Sequence, residues 1–271
     1  MPNKQKEKKN KRMVIVSDFH CGHEYGLTPP DWWARDDSNA KSVSKAGAFQ
    51  RELWQFYSDT IKSLQPIDIL VVNGDCIEGK GQGSGGIELI TADRNEQVRM
   101  ACKIIKLAKA KKVRILYGTR YHVGKEEDFE SPLVDLVGGD AEIHGHDFFD
   151  INGLVFDIKH KLTGSTVPHG RITSMARARL WNVIWNSEHQ RQPKADILIR
   201  SHVHYHQFGG GPSWLSMTTP ALCYNSSFGI RECEGVVDVG MIFFDIDSTG
   251  GYEWQPILAK FPSMQVRASS L

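Results

Sequence analysis

The chain has few cysteines, no paired-cysteine motif, no excess of charge and no long apolar run. Each shortage removes a class of protein. The five cysteines among 271 residues (Cys21, Cys76, Cys102, Cys223 and Cys233) are odd in number and never spaced CxxC. That argues against a disulfide framework and against a thiolate zinc site, and reduced thiols in the cytoplasm are the expectation. The formal net charge is +1, so no global field favours a polyanion and any basic surface has to be local. No apolar stretch approaches the ~20 residues that span a bilayer, so no membrane partner is expected. Met1 to Arg12 is almost all Lys, Asn, Gln and Glu and lacks the apolar segment of a secretory signal. Residues 1–12 are read as a disordered basic arm and residues 13–271 as a single domain, because no repeat or low-complexity linker divides it. Nucleotide-loop motifs are also missing. The glycine-rich run from Gly79 to Gly86 holds neither GK[ST] nor a GxGxxG that opens a helix.

What is present is a soluble-protein share of apolar residues, 40%, arranged in short β-branched runs and helical periodicities. Strands are expected at about Arg12–Ser17, Ile67–Val72 and Val113–Tyr117. Between them, Phe49, Leu53, Phe56 and Leu64 place a helix from about Ala46 to Gln65, stopped by Pro66. Val98, Ala101, Cys102, Ile105 and Ala108 place another from about Thr91 to Ala110. Strand, helix, strand, helix, strand implies right-handed crossovers and a parallel sheet. Further on the pattern changes. Ala141–Ile151, the turn signal Asn152-Gly153 and Leu154–Lys159 read as an antiparallel hairpin. A helix follows at about Thr173–Asn186, then strands at Ala195–Arg200, Ser216–Thr219, Val236–Asp247 and Tyr252–Phe261.

The chemistry sits where these runs stop. The first ends in Asp18-Phe19-His20, an anionic oxygen donor and a neutral nitrogen donor fixed by adjacent backbone, a pair that suits a metal. The second ends in Asn73-Gly74-Asp75. The third ends in Gly118-Thr119-Arg120-Tyr121-His122, the hairpin arm in His160, and a later strand in Ser201-His202-Val203-His204. Several other features carry plainer readings. His144-Gly145-His146 lies within the hairpin and reads as a surface pair. Trp32 and Trp33, in a long loop with Asp36-Asp37, either stack on a base, cover the site or anchor the loop. Arg171, Arg177 and Arg179 either bind a phosphate backbone or line a solvated helix face.

The ordered set D-x-H, G-D, a G-x turn with His, a lone His and H-x-H resembles the blocks of the calcineurin-like metallophosphoesterase family over about Met13 to Asp247. The resemblance implies an α/β fold, a two-sheet mixed β sandwich flanked by helices in four layers, α/β/β/α. It implies two divalent transition-metal ions, with Asp18, His20 and His204 on the first, His160 and His202 on the second, and Asp75 bridging. A carboxylate can bridge two cations, whereas an imidazole offers one lone pair to one metal. The mixed N/O set suits Mn, Fe, Zn or Ni, with manganese the expected ion. Three positions depart from the family pattern, one of them, Ser201 in place of a Gly, a minor change. Thr119 replaces an Asn that ligates the second metal, and Arg120 replaces the His that protonates the leaving group. His122, two residues on, is the candidate for that acid role or for a metal ligand. Arg120 is a candidate phosphate contact.

The function implied is a metal-dependent phosphoric ester hydrolase of the cytoplasm. It would cleave a phosphodiester, nucleic acid included, or a phosphomonoester through metal-bound hydroxide. The alternatives are a protein phosphatase and a non-catalytic scaffold of the same fold that binds a partner protein.

Overall fold

Two sheets packed face to face carry the molecule in a computed structural model that describes residues 8–33, 44–82, 85–123, 128–225 and 235–265. The first seven residues of the basic arm, Asp36-Asp37 and Cys233 lie outside the described residues.

The first sheet begins with β1 (Lys11–Val16), β2 (Ile69–Asn73), β3 (Lys112–Leu116) and β4 (Ala141–His144), all parallel. It is closed at the other edge by antiparallel β10 (Val239–Ile246) and β11 (Tyr252–Ala259). Lys11 and Arg12, counted with the arm in the sequence reading, are the first two residues of β1. Arg12 is held there by the carboxylate of Asp245, 2.7 Å away. The second sheet is built from β5 (Asp147–Ile151), β6 (Leu154–Lys161), β7 (Ile197–Ser201), β8 (Gln207–Gly211) and β9 (Trp214–Thr218), in the order β5-β6-β7-β9-β8. Here β6, β7 and β9 run parallel, and β5 and β8 are antiparallel edges.

Alternation along β1 shows why there are two cores. Val14 and Val16 face helices α1 (Lys45–Ser63) and α2 (Arg94–Leu107), against Phe49, Leu53, Val98 and Ala101. Met13 and Ile15 face the other sheet, in one cluster with its Phe156, Ile158 and Ile199 and with Phe244 of the neighbouring β10. A strand buried on both faces reads as a continuous apolar run, as β1 does. Ser44 caps α1 by accepting from the Gly47 amide, and Asp93 caps α2 by accepting from the Asn95 and Glu96 amides. Helix α5 (Arg171–Ser187) covers the outer face of the second sheet and completes the α/β/β/α order.

Three expectations need correction. The run Ala141–Ile151 is two strands, not one hairpin arm. It bends at Gly145, so that β4 extends the first sheet beside β3 and β5 opens the second beside β6. Strand β8, with three consecutive glycines (Gly209–Gly211), gave no β-branched signal. The expected Thr119–His122 turn is largely a short helix, α3 (Arg120–Val123), followed by α4 (Pro132–Val137). The tryptophans have the plainer role. Trp32 donates to Glu96 and Trp33 to the Thr28 carbonyl, each at 3.0 Å, which ties the loop to the body.

Between the sheets, under the ends of β1, β2, β7 and β9, four buried side chains form one line. Asn73 Nδ2 donates to Ser201 Oγ at 2.6 Å, Ser201 meets Thr219 at 2.6 Å, and Thr219 meets Ser17 at 2.7 Å. Ser17 Oγ donates onward to the Pro220 carbonyl at 3.2 Å.

Candidate metal centre

Parallel pairing of β1 with β2, in a register that sets Val16 beside Val72, brings both strands to an end at one level. The pairing continues past the strands: the Asp18 amide donates to the Gly74 carbonyl and the His20 amide to the Asp75 carbonyl. Asp18, His20 and Asp75 are thereby delivered to one edge of the first sheet. The second sheet supplies His160 from the end of β6 and His202 and His204 just beyond β7. Chemistry at the C-terminal ends of parallel strands is the general habit of α/β sheets.

The backbone is bent to make this possible. Asp18, His20, Asp75, His202 and His204 all have φ between 46° and 74°, and they are five of the eight described non-glycine residues in that region. Such conformations cost free energy and cluster at functional sites. Gly74 and Gly118 are needed for close approach, since a Cβ on either would overlap His160 or the Asp75 carboxylate.

Around Asp75, the two carboxylate oxygens have different surroundings. Oδ1 accepts from the Thr119 amide at 2.6 Å and the Thr119 hydroxyl at 3.3 Å. Oδ2 faces His160 Nε2 at 3.0 Å, His202 Nδ1 at 3.8 Å and His122 Nε2 at 4.0 Å. Thr119, in the position where the family pattern has Asn, therefore turns its hydroxyl onto Asp75. Burial would raise the Asp75 carboxyl, but His160 and His202 hold it well below the ordinary carboxylate range. Around Asp18, both oxygens are buried without a well-aligned hydrogen bond from any described residue. His204 Nε2 stands 3.2 Å from Oδ1 and His20 Nε2 3.9 Å. Burial opposes ionisation there too, yet His204 and His160 bring the group down to about 2. His160 shows the reciprocal effect. Burial pulls it down, and Asp75 with Asp18 carries it up to about 9.

Three of the rings have the far side held. His20 Nδ1 meets the Glu78 carboxylate at 2.8 Å, and its Nε2 lies 3.3 Å from His204 Nε2. His160 Nδ1 donates to the Asn73 carbonyl at 2.6 Å. His122 Nδ1 donates to the Glu78 carbonyl at 3.0 Å, with the Glu78 carboxylate 3.5 Å away. Ligating imidazoles are ordinarily held in this way through the second nitrogen. Three overlapping sets, His20–His204–Cys223, His20–Asp75–His122 and Asp75–His160–His202, each offer ligand atoms within 4.8 Å of one another. A buried carboxylate with no hydrogen-bond partner on either oxygen, a second carboxylate ringed by imidazoles and mixed N/O donors fit divalent transition metals.

All six expected donors come together, and His122 joins them. Arg120 does not: it is exposed and is not among the residues lining the cavity above the donors. That cavity, about 880 Å³, draws its cationic side chains from Lys161 and Arg171, with Arg171 stacked 4.2 Å over Tyr205. Arg179 is instead buried and tied to the Ala195 carbonyl. His144 and His146 lie apart from the centre, on Glu142 and Asp157.

Sequence reasoning missed Glu78 and Glu130. Glu78 had a usable signal, a carboxylate three residues beyond Asp75. Glu130 had none. It arrives from a distant loop and accepts from the Cys76 amide and the Gly118 amide, both at 2.8 Å. It is fully buried, and burial raises it to about 7.

The architecture is the two-sheet mixed sandwich flanked by helices, α/β/β/α, that the motif order implied. No family model and no curated protein matches the chain. Among solved structures, it is similar to an archaeal phosphodiesterase, at 13% identity and a TM-score of 0.46 over 91% of this chain and 99% of that one. It is also similar to a single mutant of Vps29 from Entamoeba histolytica, at 11% and 0.45 over 92% and 99%. Wild-type Vps29 of that organism, complexed with zinc, matches at 12% and 0.42 over 91% and 98%. Likeness at this level carries no residue role or activity across. No described helix is long and apolar enough to cross a membrane.

Proposed function

We propose that the protein is a metal-dependent phosphoesterase that hydrolyses a phosphodiester. Asp18, His20 and His204 would hold one divalent ion and His160 and His202 a second, with Asp75 shared by the two. The observation that carries this reading is the convergence of six donors from two sheets, five of them in left-handed backbone, around two buried carboxylates that are faced by imidazoles and, among the described residues, paired with no Lys or Arg. Bound ions supply Lewis acidity toward the phosphoryl group and an activated water.

The chain's own residues do the rest. The Thr119 amide fixes Asp75 Oδ1 and leaves Oδ2 turned to the imidazoles. Glu78 and the Asn73 carbonyl take the Nδ1 hydrogens of His20 and His160, which leaves each Nε2 lone pair facing inward. His122 holds Nδ1–H on the Glu78 carbonyl and lines the cavity, and as an imidazolium it would give its Nε2 proton to the leaving oxygen and keep the Nδ1 proton. Arg171 and Lys161 draw the phosphate's charge into the cavity, whose extent beyond the donors favours a diester with groups on both sides. Nucleic acid is one such substrate.

A second reading, a scaffold that binds a partner protein, is favoured by α5, which leaves Leu180 and Trp181 more than half exposed. One experiment separates the two. Protein loaded with Mn²⁺ is analysed for metal and assayed on bis-p-nitrophenyl phosphate, p-nitrophenyl phosphate and single-stranded and duplex DNA. Two ions per chain and turnover of a diester are expected. No specific uptake overturns the metal centre, and uptake without turnover of any ester favours the scaffold.

A further inference from the structure

Cys223 follows β9 in a segment bridged to both sheets. The Leu222 amide donates to the Ser17 carbonyl, and Cys223 itself pairs with Gly26. Its thiol is buried beside the Asp18 turn, with Sγ 3.5 Å from His204 Nδ1. On the other side of the same ring, Nε2 lies 3.2 Å from Asp18 Oδ1 and 3.3 Å from His20 Nε2. A cysteine in such a cluster has two possible uses, as a direct sulfur ligand or as a partner of the ligating ring.

Geometry separates them. The two ring nitrogens of an imidazole point their lone pairs in divergent directions. An ion held by Nε2 together with Asp18 and His20 therefore lies across the ring from Sγ. The proton arrangement agrees. If the thiol donated to Nδ1, the ring proton would sit on Nε2 and point at Asp18 and His20, leaving no lone pair for an ion. Only Nδ1–H donating to sulfur leaves Nε2 available.

We propose that Cys223 is a positioning residue of the first metal site. Its sulfur accepts the Nδ1 hydrogen of His204 and so fixes the tautomer that presents Nε2 beside Asp18 and His20. This rests on the proposed metal centre. It gives His204 the counterpart that Glu78 provides for His20 and the Asn73 carbonyl for His160. Asp18, fully buried with both oxygens lacking a well-aligned donor, is the independent sign that a cation belongs on the Nε2 side.

The test is Co²⁺ titration of the full chain, followed by visible absorption, in the wild type, Cys223→Ala and Cys223→Ser. Loss of a supporting partner of this kind typically costs about 10–100-fold in metal affinity. Cys223→Ala is therefore expected to weaken one of the two Co²⁺ sites by about that factor, with most of it recovered in Cys223→Ser, whose hydroxyl also accepts. No sulfur-to-cobalt charge-transfer band is expected in the wild type. Such a band, lost in Cys223→Ser, would make Cys223 a direct ligand and overturn the proposal. Equal affinities in all three proteins would overturn it as well. Should the variants fail to fold by circular dichroism, ¹⁵N resonances of His204 in the Zn²⁺-loaded wild type decide. A metal on Nε2 with a proton on Nδ1 supports the proposal, and the reverse overturns it. Failure of the wild type to take up Co²⁺ at all would instead remove the metal centre itself, a result distinct from any difference among the three proteins.

Discussion

Glu130→Ala tests how the site is braced. Glu130 bridges the loop after β2 and the turn after β3, accepting one backbone hydrogen bond from each through separate carboxylate oxygens. Truncation leaves the amides of Cys76 and Gly118 without their acceptor inside the protein. Each such orphan costs about 1–3 kcal/mol, so a loss of roughly 2–6 kcal/mol of unfolding free energy is expected. The effect depends on pH in a defined direction. The carboxyl is raised in the folded state from an ordinary 4.5 to about 7, so the folded protein binds the proton more tightly than the unfolded chain. Its contribution is complete below about pH 4.5 and is lost as pH rises toward 7. The difference across that window is about 3 kcal/mol. Urea denaturation of metal-free wild type and variant at pH 5 and pH 8 measures both quantities. The gap between the two proteins should be wide at pH 5 and narrower by up to about 3 kcal/mol at pH 8. A gap below 1 kcal/mol at pH 5, or one that widens with pH, would refute the account of Glu130.

Other perturbations reach the chemistry directly. Asp75→Asn keeps the shape and the contact with the Thr119 amide but removes the charge between the two sites; hydrolysis should be abolished with the circular dichroism spectrum unchanged. His122→Ala should slow an alkyl phosphodiester by ~10²–10⁴-fold, as for loss of a general acid, and a p-nitrophenyl ester far less; equal slowing with lost metal would make His122 a ligand. Glu78→Gln should weaken metal binding by about 10–100-fold, because His20 Nδ1 loses its charged acceptor; unchanged affinity by Co²⁺ titration would count against that role.

Much of this was legible because parallel strands leave a strong trace. A strand covered on both faces is apolar along most of its length, so a sudden Asp or His marks where the strand stops. Asp18, Asp75 and His202 were picked out as candidates in that way, and His160 by its place at the end of a hairpin arm. The same logic failed at β8, where glycines carry no packing signal, and at Gly145, where one extended run changes sheets. Supporting residues were hardest to see. Glu130 comes from the loop before α4, and nothing in its local sequence ties it to Cys76 or Gly118. Cys223 read as one scattered thiol among five. Ser201, in the position where the family pattern has Gly, looked trivial, although its hydroxyl is wholly buried and bonded on both sides.

The line through Ser201 has a polarity. Asn73 Nδ2 can only donate and the Pro220 carbonyl can only accept, so every hydroxyl between them must point its hydrogen the same way, from the β2 end toward the β9 end. Three freely rotating groups are reduced to one common orientation, and none can turn without its neighbours. Such a row behaves as a single object. Removing any one hydroxyl breaks the direction for all of them, so paired substitutions along it should cost less than the sum of the single ones. A brace of this kind joins two sheets below the donors with no metal in it, and it ties the spacing of Asp18, Asp75 and His202 to the seam between the sheets.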